Sequence, residues 1–330
     1  MALPRIRILV GPGTLPSRGK HRMDFTHYRR SGHPRMTAAE LLAEIPEIER
    51  IASVEAEGGA PHGIATLGDL RRLTLRVNEL LQRPDLDGLV FVQGTNTLEE
   101  TAYFLTLTVR SAKPVAVTGA QRPFTALSSD APLNLFNAIR TAAHPDSSGK
   151  GVLVVTNDEI NCARDVTKTS TYKVQTFRSR DLGLLGYADP DRILYYRTPT
   201  RRHTTDSEFS VEDVEALPRV DVLYVYTGTH PGMAEAMVES GAKGIVIVGI
   251  GAGALGSLEA ECAEIAATRR AVVVRSARVG EGRVLRDSAW HEPNMVAADN
   301  LSAQKAAVLL SLALTKTNDP DEIQRMFDEY

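Results

Sequence analysis

The sequence predicts an α/β protein of two domains, and three observations lead to that prediction. Short runs of β-branched residues alternate with longer stretches whose apolar residues recur at helical spacing, as in parallel strands joined by helical crossovers. Several predicted strands end in a glycine-containing loop that opens a helix, and ligands bind at such strand ends in open α/β sheets. The length of 330 residues, of which 43% are hydrophobic, is enough for two cores.

The predicted elements alternate along the whole chain. Strands are predicted at 7–10, 88–92, 115–118, 151–155, 222–226, 244–249 and 271–275, and helices at 67–82, 97–111, 231–240, 257–269 and 302–315. The polar stretch 198–218 holds no strand, so we place the domain boundary there. The prediction is a larger N-terminal parallel-sheet domain at 1–205, a linker at 206–218 and a smaller C-terminal α/β domain at 219–330.

Composition argues against several classes of protein. Thirty-eight basic and 41 acidic side chains give a net charge of -3, so there is no basic surplus for a nucleic-acid partner. Cys162 and Cys262 lie far apart with no histidine at metal-ligand spacing, which predicts neither a disulfide framework nor a metal site, while one bridge between them stays open. No apolar run reaches the roughly 20 residues that span a membrane. The first apolar run, at 8–10, is too short for a signal peptide, so we expect a cytoplasmic protein unless a leader has been removed.

Four segments at the ends of predicted strands carry polar side chains that suit chemistry. In the second of them a glycine permits a tight turn, and Thr95 and Asn96 can cap the following helix or present polar groups at its positive end. Taken alone, this segment is better explained as an ordinary helix cap. The four segments are Val10-Gly11-Pro12-Gly13-Thr14-Leu15, Gln93-Gly94-Thr95-Asn96-Thr97-Leu98-Glu99-Glu100-Thr101, Gly119-Ala120-Gln121-Arg122-Pro123 and Ala163-Arg164-Asp165-Val166-Thr167-Lys168-Thr169.

Together the four segments resemble those of the bacterial L-asparaginases, most closely the type II form, and the resemblance continues to Leu312-Ala313-Leu314-Thr315 near the C-terminus. The resemblance implies a larger and a smaller α/β domain, and a homotetramer in which paired subunits complete each site. It also implies hydrolysis of a small-molecule side-chain amide by a threonine nucleophile, without a metal or organic cofactor. Neither a membrane nor a nucleic acid is an expected partner.

The resemblance also implies roles for individual residues. It places the nucleophile at Thr14, a lid tyrosine at Tyr28 and an acid at Asp287, and it maps a second catalytic pair onto Thr95 and Lys168. Because a free hydroxyl is a weak nucleophile, a nearby base or desolvated lysine is needed to accept its proton. The substrate-binding positions implied in the same way are Thr66, Asn96, Ala120 and Gln121.

Three of the positions that would recognise the amino-acid part of asparagine differ from the family pattern. Asn96 stands in place of an aspartate that takes the ammonium group, Thr66-Leu67 in place of a serine-glutamine pair, and Ala254 in place of a partner-subunit asparagine. An ammonium group that loses water without gaining a counter-charge costs several kcal/mol. We therefore expect the substrate to be a primary amide other than free L-asparagine.

The segment 16–37, named the lid here, is irregular and strongly basic. A loop of this length inside a compact domain is usually functional or mobile. One interpretation is a solvated loop, and the other is a lid that attracts an anionic substrate. Its basic side chains, set against the single acid Asp24, are Arg18, Lys20, His21, Arg22, His27, Arg29, Arg30, His33 and Arg35.

The leading hypothesis is an amidohydrolase in which Thr14 attacks the amide and water resolves the acyl-enzyme. An alternative keeps this chemistry but passes the acyl group to another nucleophile, which gives acyl transfer or a ring. A second alternative is a binding or regulatory homologue whose catalysis has been lost, because Asn96 has replaced the aspartate and Pro12 has entered the nucleophile loop.

Overall fold

The computed structural model describes residues 2–286 and 294–330. The chain forms two compact units, Met1–Ser207 and Glu208–Tyr330. Each unit is a sheet with helices packed against it, which confirms the predicted α/β class with a larger N-terminal and a smaller C-terminal part.

The first unit contains an eight-stranded sheet, a two-stranded ribbon and four α-helices. The strands are β1 (Arg5–Val10), β2 (Ser53–Ala56), β3 (Gly88–Val92), β4 (Val115–Thr118), β5 (Val152–Thr156), β6 (Glu159–Cys162), β7 (Thr167–Lys168), β8 (Phe177–Arg178), β9 (Gly186–Ala188) and β10 (Ile193–Tyr195). The helices are α1 (Ala38–Ala43), α2 (Leu67–Leu81), α3 (Leu98–Thr108) and α4 (Ala131–Ala143). The order in the large sheet is β10-β9-β6-β5-β4-β3-β1-β2, and β7 pairs with β8.

The large sheet is mixed rather than parallel throughout, which corrects one part of the prediction. Strands β2, β1, β3, β4 and β5 are parallel, whereas β6, β9 and β10 continue the sheet in antiparallel pairs. The change of direction occurs at Asn157 and Asp158, whose φ angles of 52° and 64° suit a two-residue hairpin. Asparagine and aspartate tolerate this left-handed conformation better than most residues do.

Alternation along the central strands places one core on each side of the large sheet. Ile6 and Ile8 of β1 face a core that includes residues of α1 and α4, while Leu9 faces a second core built with residues of α2 and α3. Arg7 lies on the same face of β1 as Leu9, nearer the start of the strand, and pairs with acidic residues of β2 and of the loop that follows it. Buried on both faces, the strands fix where the loops at their carboxyl ends begin.

The second unit has a four-stranded parallel sheet in the order β11-β12-β13-β14. Its strands are β11 (Val220–Tyr224), β12 (Gly244–Gly249), β13 (Val272–Ala277) and β14 (Val296–Ala297), and its helices are α5 (Met233–Glu239), α6 (Glu259–Ala267), α7 (Ala303–Ala313) and α8 (Pro320–Glu329). Across the described residues, no helix is long and apolar enough to span a membrane.

Candidate active site

Two loops meet at the carboxyl edge of the large sheet because β1 and β3 are parallel neighbours. The backbone amide of Gly94 donates to the carbonyl oxygen of Pro12 at 2.9 Å. A Cβ atom on Gly13 would lie 2.3 Å from the backbone nitrogen of Gly94, so only glycine permits this approach. The loop that carries Thr14 is thereby held against the loop that carries Thr95.

Thr14 lies next to the lid tyrosine. Its Oγ1 atom is 2.7 Å from Oη of Tyr28, a hydrogen bond in which either atom can donate. Only 6% of Thr14 is exposed. The neighbouring turn is fixed by Ser17, whose hydroxyl donates to the carbonyl oxygen of Gly13 at 2.7 Å. The structure therefore brings together two of the three residues, Thr14, Tyr28 and Asp287, that the resemblance places in the first catalytic group.

The lid folds around the buried carboxylate of Asp24, its one acidic residue. This carboxylate accepts the backbone N–H groups of Lys20 at 3.1 Å and His27 at 2.8 Å. Burial acts to raise the pKa of Asp24, but these two hydrogen bonds and the nearby histidines lower it overall. Beyond His27, one turn of 3₁₀ helix at Tyr28–Arg30 holds the tyrosine. Local hydrogen bonding thus gives the segment an ordered course next to Thr14.

The second pair consists of Thr95 and Lys168. The Lys168 side chain donates from Nζ to Oγ1 of Thr95 at 2.8 Å, and its backbone N–H donates to the Glu99 carboxylate at 2.7 Å. Lys168 lies in the ribbon strand β7, and Glu99 is a 4% exposed residue in the first turn of α3. Burial lowers the pKa of the Lys168 ammonium; Glu99 opposes this shift and Arg29 of the lid reinforces it.

The loop after β4 completes the surroundings of Thr95. Ala120 is buried, and the side chain of Gln121 reaches Thr95, whose hydroxyl donates to Oε1 at 3.1 Å. The carboxylate of Asp130 accepts the backbone N–H groups of Gln121 at 2.9 Å and Arg122 at 3.0 Å. Burial raises the pKa of Asp130 although these backbone hydrogen bonds act to lower it. This carboxylate fixes the turn from which Gln121 projects.

The other predicted positions lie on different parts of the chain. Thr66 is the exposed N-cap of α2, where its side chain forms a reciprocal capping box with Asp69. Asn96 is exposed in the loop that carries Thr95, and Ala254 lies in the second unit, where its backbone N–H donates to Ile250. Asp287 lies outside the described residues.

The sequence analysis did not identify Glu99 and Asp130 as parts of this site. Each is a carboxylate that sits in the first turn of a helix or just before it, and each binds the backbone of a loop that carries a candidate catalytic or binding residue. A signal was available for Glu99, because it precedes the apolar run of α3 and so was a candidate for burial. A charged residue that is buried usually has a partner. No sequence pattern indicated the role of Asp130.

Comparison with known proteins identifies the family. The family model described as Asparaginase, N-terminal, matches residues 5–201, and the Glutaminase/Asparaginase C-terminal domain model matches 219–327. L-asparaginase 2 of Bacillus subtilis is 43% identical over 331 residues, covering 99% of this chain and 87% of that protein. L-asparaginase 2 of Escherichia coli is 41% identical over 332 residues, covering 100% and 94%. The crystal structure of a probable cytoplasmic L-asparaginase from Campylobacter jejuni matches with a TM-score of 0.92 at 36% identity, covering 99% of this chain and all of that one.

These matches first define the class of protein, an amidohydrolase that cleaves an amide C–N bond. The chain belongs to the asparaginase family, and relatives of the bacterial type II form match it over its full length.

The same relatives correct the expectation about the substrate. The predicted substrate was an amide other than free L-asparagine, with acyl transfer or lost catalysis as alternatives. This prediction is wrong because the full-length relatives are named L-asparaginases. The error lay in the energy assigned to Asn96. A cost of several kcal/mol applies to a charge that is buried without a partner, whereas Asn96 is exposed in this chain. An ion pair lost at an exposed position costs only about 0 to 1 kcal/mol.

Proposed function

We propose that this protein hydrolyses L-asparagine to L-aspartate and ammonia. The observation that carries the proposal is the presence of two buried threonine hydroxyls, each in hydrogen-bond contact with a group that can exchange a proton, Tyr28 for Thr14 and Lys168 for Thr95. The printed names of the full-length relatives from Bacillus subtilis and Escherichia coli support L-asparagine as the substrate.

In the first half of the reaction, Oγ1 of Thr14 attacks the carbon of the side-chain amide. Tyr28 takes the proton from Thr14 while its own phenolic proton passes to the departing nitrogen. The C–N bond then breaks, ammonia leaves, and the acyl group remains as an ester on Thr14.

In the second half, water resolves the ester. Neutral Lys168 receives a proton from the attacking water through the hydroxyl of Thr95, and the resulting hydroxide attacks the acyl carbon. The bond to Oγ1 of Thr14 breaks, L-aspartate is released, and the proton held by Lys168 returns to Thr14. Partial burial favours the neutral form of Lys168 that this step requires.

The remaining assignments form part of the same proposal. The resemblance assigns Thr66, Asn96, Ala120 and Gln121 to substrate binding, and it assigns Asp287 to Thr14 as its acid. We further propose domains at 1–205 and 219–330 joined by a linker, a homotetramer whose paired subunits complete each site, and a cytoplasmic location. The printed name of the probable cytoplasmic L-asparaginase from Campylobacter jejuni supports the proposed location.

The experiment measures products from purified protein with millimolar L-asparagine. We expect one ammonia and one L-aspartate for each L-asparagine consumed, at an ordinary enzyme rate above roughly 1 s⁻¹. Lys168→Met should lower kcat by at least about 100-fold, while Lys150→Met, which removes a lysine stacked on Tyr195, should retain it. Failure of the unmodified protein to release ammonia would disprove the proposed substrate. Equal rates for the two lysine variants would disprove the role of Lys168.

A further inference from the structure

The side chain of Gln121 forms hydrogen bonds at both ends of its carboxamide. Its Oε1 atom accepts the Thr95 hydroxyl at 3.1 Å. Its Nε2 atom faces the carbonyl oxygens of Ser170 at 3.4 Å, Thr171 at 3.3 Å and Lys173 at 3.2 Å. The segment 170–173, which carries these carbonyl groups, follows directly after Lys168 and Thr169. The Gln121 side chain therefore connects Thr95 with the segment that carries its lysine partner.

We propose that Gln121 is a positioning residue, which fixes the direction of the Thr95 hydroxyl and stabilises the Thr95–Lys168 pair. The inference rests on the proposed function, in which that pair handles the proton of the attacking water. It adds a role toward Thr95 to the substrate contact that the resemblance implies for Gln121.

The orientation of the carboxamide follows from the groups around it. A glutamine side chain offers an acceptor oxygen and a donor nitrogen. Three carbonyl oxygens surround one end, so the nitrogen must lie there and the oxygen must face Thr95. The reversed orientation would bring the amide oxygen against three other acceptors and leave no acceptor for the hydroxyl.

This orientation fixes the hydroxyl proton of Thr95. A hydroxyl has one proton to donate, and Lys168 as an ammonium donates to the same oxygen at 2.8 Å. While Lys168 is an ammonium, the threonine proton therefore points to Gln121, and a lone pair points to Lys168. The acceptor at position 121 consequently stabilises the charged form of the lysine, because it leaves the threonine oxygen free to accept from the ammonium.

A change at position 121 should therefore alter the titration of Lys168. The two hydrogen bonds together place Oε1 of Gln121 within about 6 Å of Nζ. The other charged groups near the lysine are Glu99 and Arg29. Asp130 lies at the backbone of position 121. These groups are the same in every variant below, so a shift reports on the side chain at position 121.

The test compares Gln121→Met and Gln121→Glu, whose expected effects have opposite signs. Methionine has nearly the same length but accepts no hydrogen bond from Thr95, so the pKa of Lys168 should fall. Glutamate keeps an acceptor oxygen and, once ionised, adds a negative charge near the ammonium, so the pKa of Lys168 should rise. Nuclear magnetic resonance titration of Lys168 in protein labelled at lysine Cε measures both shifts, whether or not L-asparagine is the substrate.

The acid limb of kcat/KM for L-asparagine should move in the same directions, to lower pH in Gln121→Met and to higher pH in Gln121→Glu. Because the proposed step uses the neutral amine, which Gln121→Met favours, we expect kcat and KM on the plateau above the acid limb to stay within about twofold, so that only the pH dependence moves. The matched control is Gln175→Met, because Gln175 lies in the same ribbon loop but bonds to Glu159 and Arg178. It should resemble the unmodified enzyme.

The melting temperatures of all three variants show whether they are folded. A Lys168 titration that is unchanged in both folded Gln121 variants would overturn the proposal, even if their activity falls, because the loss would then reflect packing alone. If the unmodified enzyme releases no ammonia while the titration shifts as expected, the proposed function fails and the positioning role stands.

Discussion

The contact between Gly13 and Gly94 gives a sharp prediction for the variant Gly13→Ala. The added Cβ would lie 2.3 Å from the backbone nitrogen of Gly94, 2.6 Å from its Cα and 2.7 Å from the carbonyl carbon of Gln93. All three atoms belong to the backbone, so no side-chain rotation can relieve the overlap. One of the two loops must move, and the hydrogen bond from Gly94 to Pro12 lengthens or breaks.

The expected loss of stability follows from these contacts. Overpacking of a tight site costs about 1 to 3 kcal/mol, and the hydrogen bond contributes about 1 kcal/mol. We therefore expect the free energy of unfolding to fall by about 2 to 4 kcal/mol. The melting temperature should fall by roughly 5 to 15 °C, at about 2 to 4 °C per kcal/mol for a unit of this size. Because the two loops carry Thr14 and Thr95, kcat/KM for L-asparagine should also fall by at least about 100-fold.

The matched control is Gly58→Ala, since no atom lies within 4 Å of the Cβ position of Gly58 and its φ angle is not in the left-handed region. Thermal unfolding followed by circular dichroism, together with ammonia release, measures both effects. A Gly13→Ala protein with the melting temperature and kcat/KM of the Gly58→Ala control would refute the argument that this glycine holds the loops together.

Two further predictions concern pH. Arg29 lowers the pKa of Lys168 and Glu99 raises it, and Lys168 works as the neutral amine. Arg29→Ala should therefore move the acid limb of kcat/KM to higher pH, and Glu99→Gln should move it to lower pH. Shifts of the opposite sign would contradict this role of Lys168. The Arg83 and Arg5 guanidinium groups lower the pKa of Glu55 from 4.5 to about 2, so its stabilising contribution is present above pH 4.5 and is lost as the pH falls toward 2. Since this carboxylate is partly exposed and its Arg5 and Arg83 partners lie at the surface, solvent screening limits the contribution to about 1 kcal/mol. The melting temperature of Glu55→Gln should fall less between pH 6 and 3 than that of the unmodified protein, whereas an equal fall would contradict this.

The long strands were the most predictable part of the fold. The bounds predicted for the strands at Gly88–Val92, Val115–Thr118 and Gly244–Gly249 agree with the structure, because each strand is a continuous apolar run with a polar or glycine-rich segment after it. The ribbon strands Thr167–Lys168 and Phe177–Arg178 have two residues each, too few for any periodicity. The antiparallel half of the sheet went unpredicted because it depends on the two-residue turn at Asn157 and Asp158.

The candidate site was predictable as a set of strand-end loops but not as a geometry. Parallel strands bring the loops of Thr14 and Thr95 to one edge, and that follows from the pattern. The contact between Thr95 and Gln121 depends on the local turn that Asp130 holds, which no spacing in the sequence encodes. The sequence also did not indicate that Asn96 is exposed. Without that exposure, the free-energy cost of losing a charge at position 96 could not be judged.

The kcat of Thr14→Ala on L-asparagine shows whether Thr14 is the nucleophile of an L-asparaginase. We expect a loss of at least about 1,000-fold with an unchanged melting temperature. The control Thr200→Ala changes an exposed threonine in the same unit and should keep full activity. A folded Thr14→Ala protein that releases ammonia from L-asparagine at the rate of the unmodified enzyme would contradict the claim.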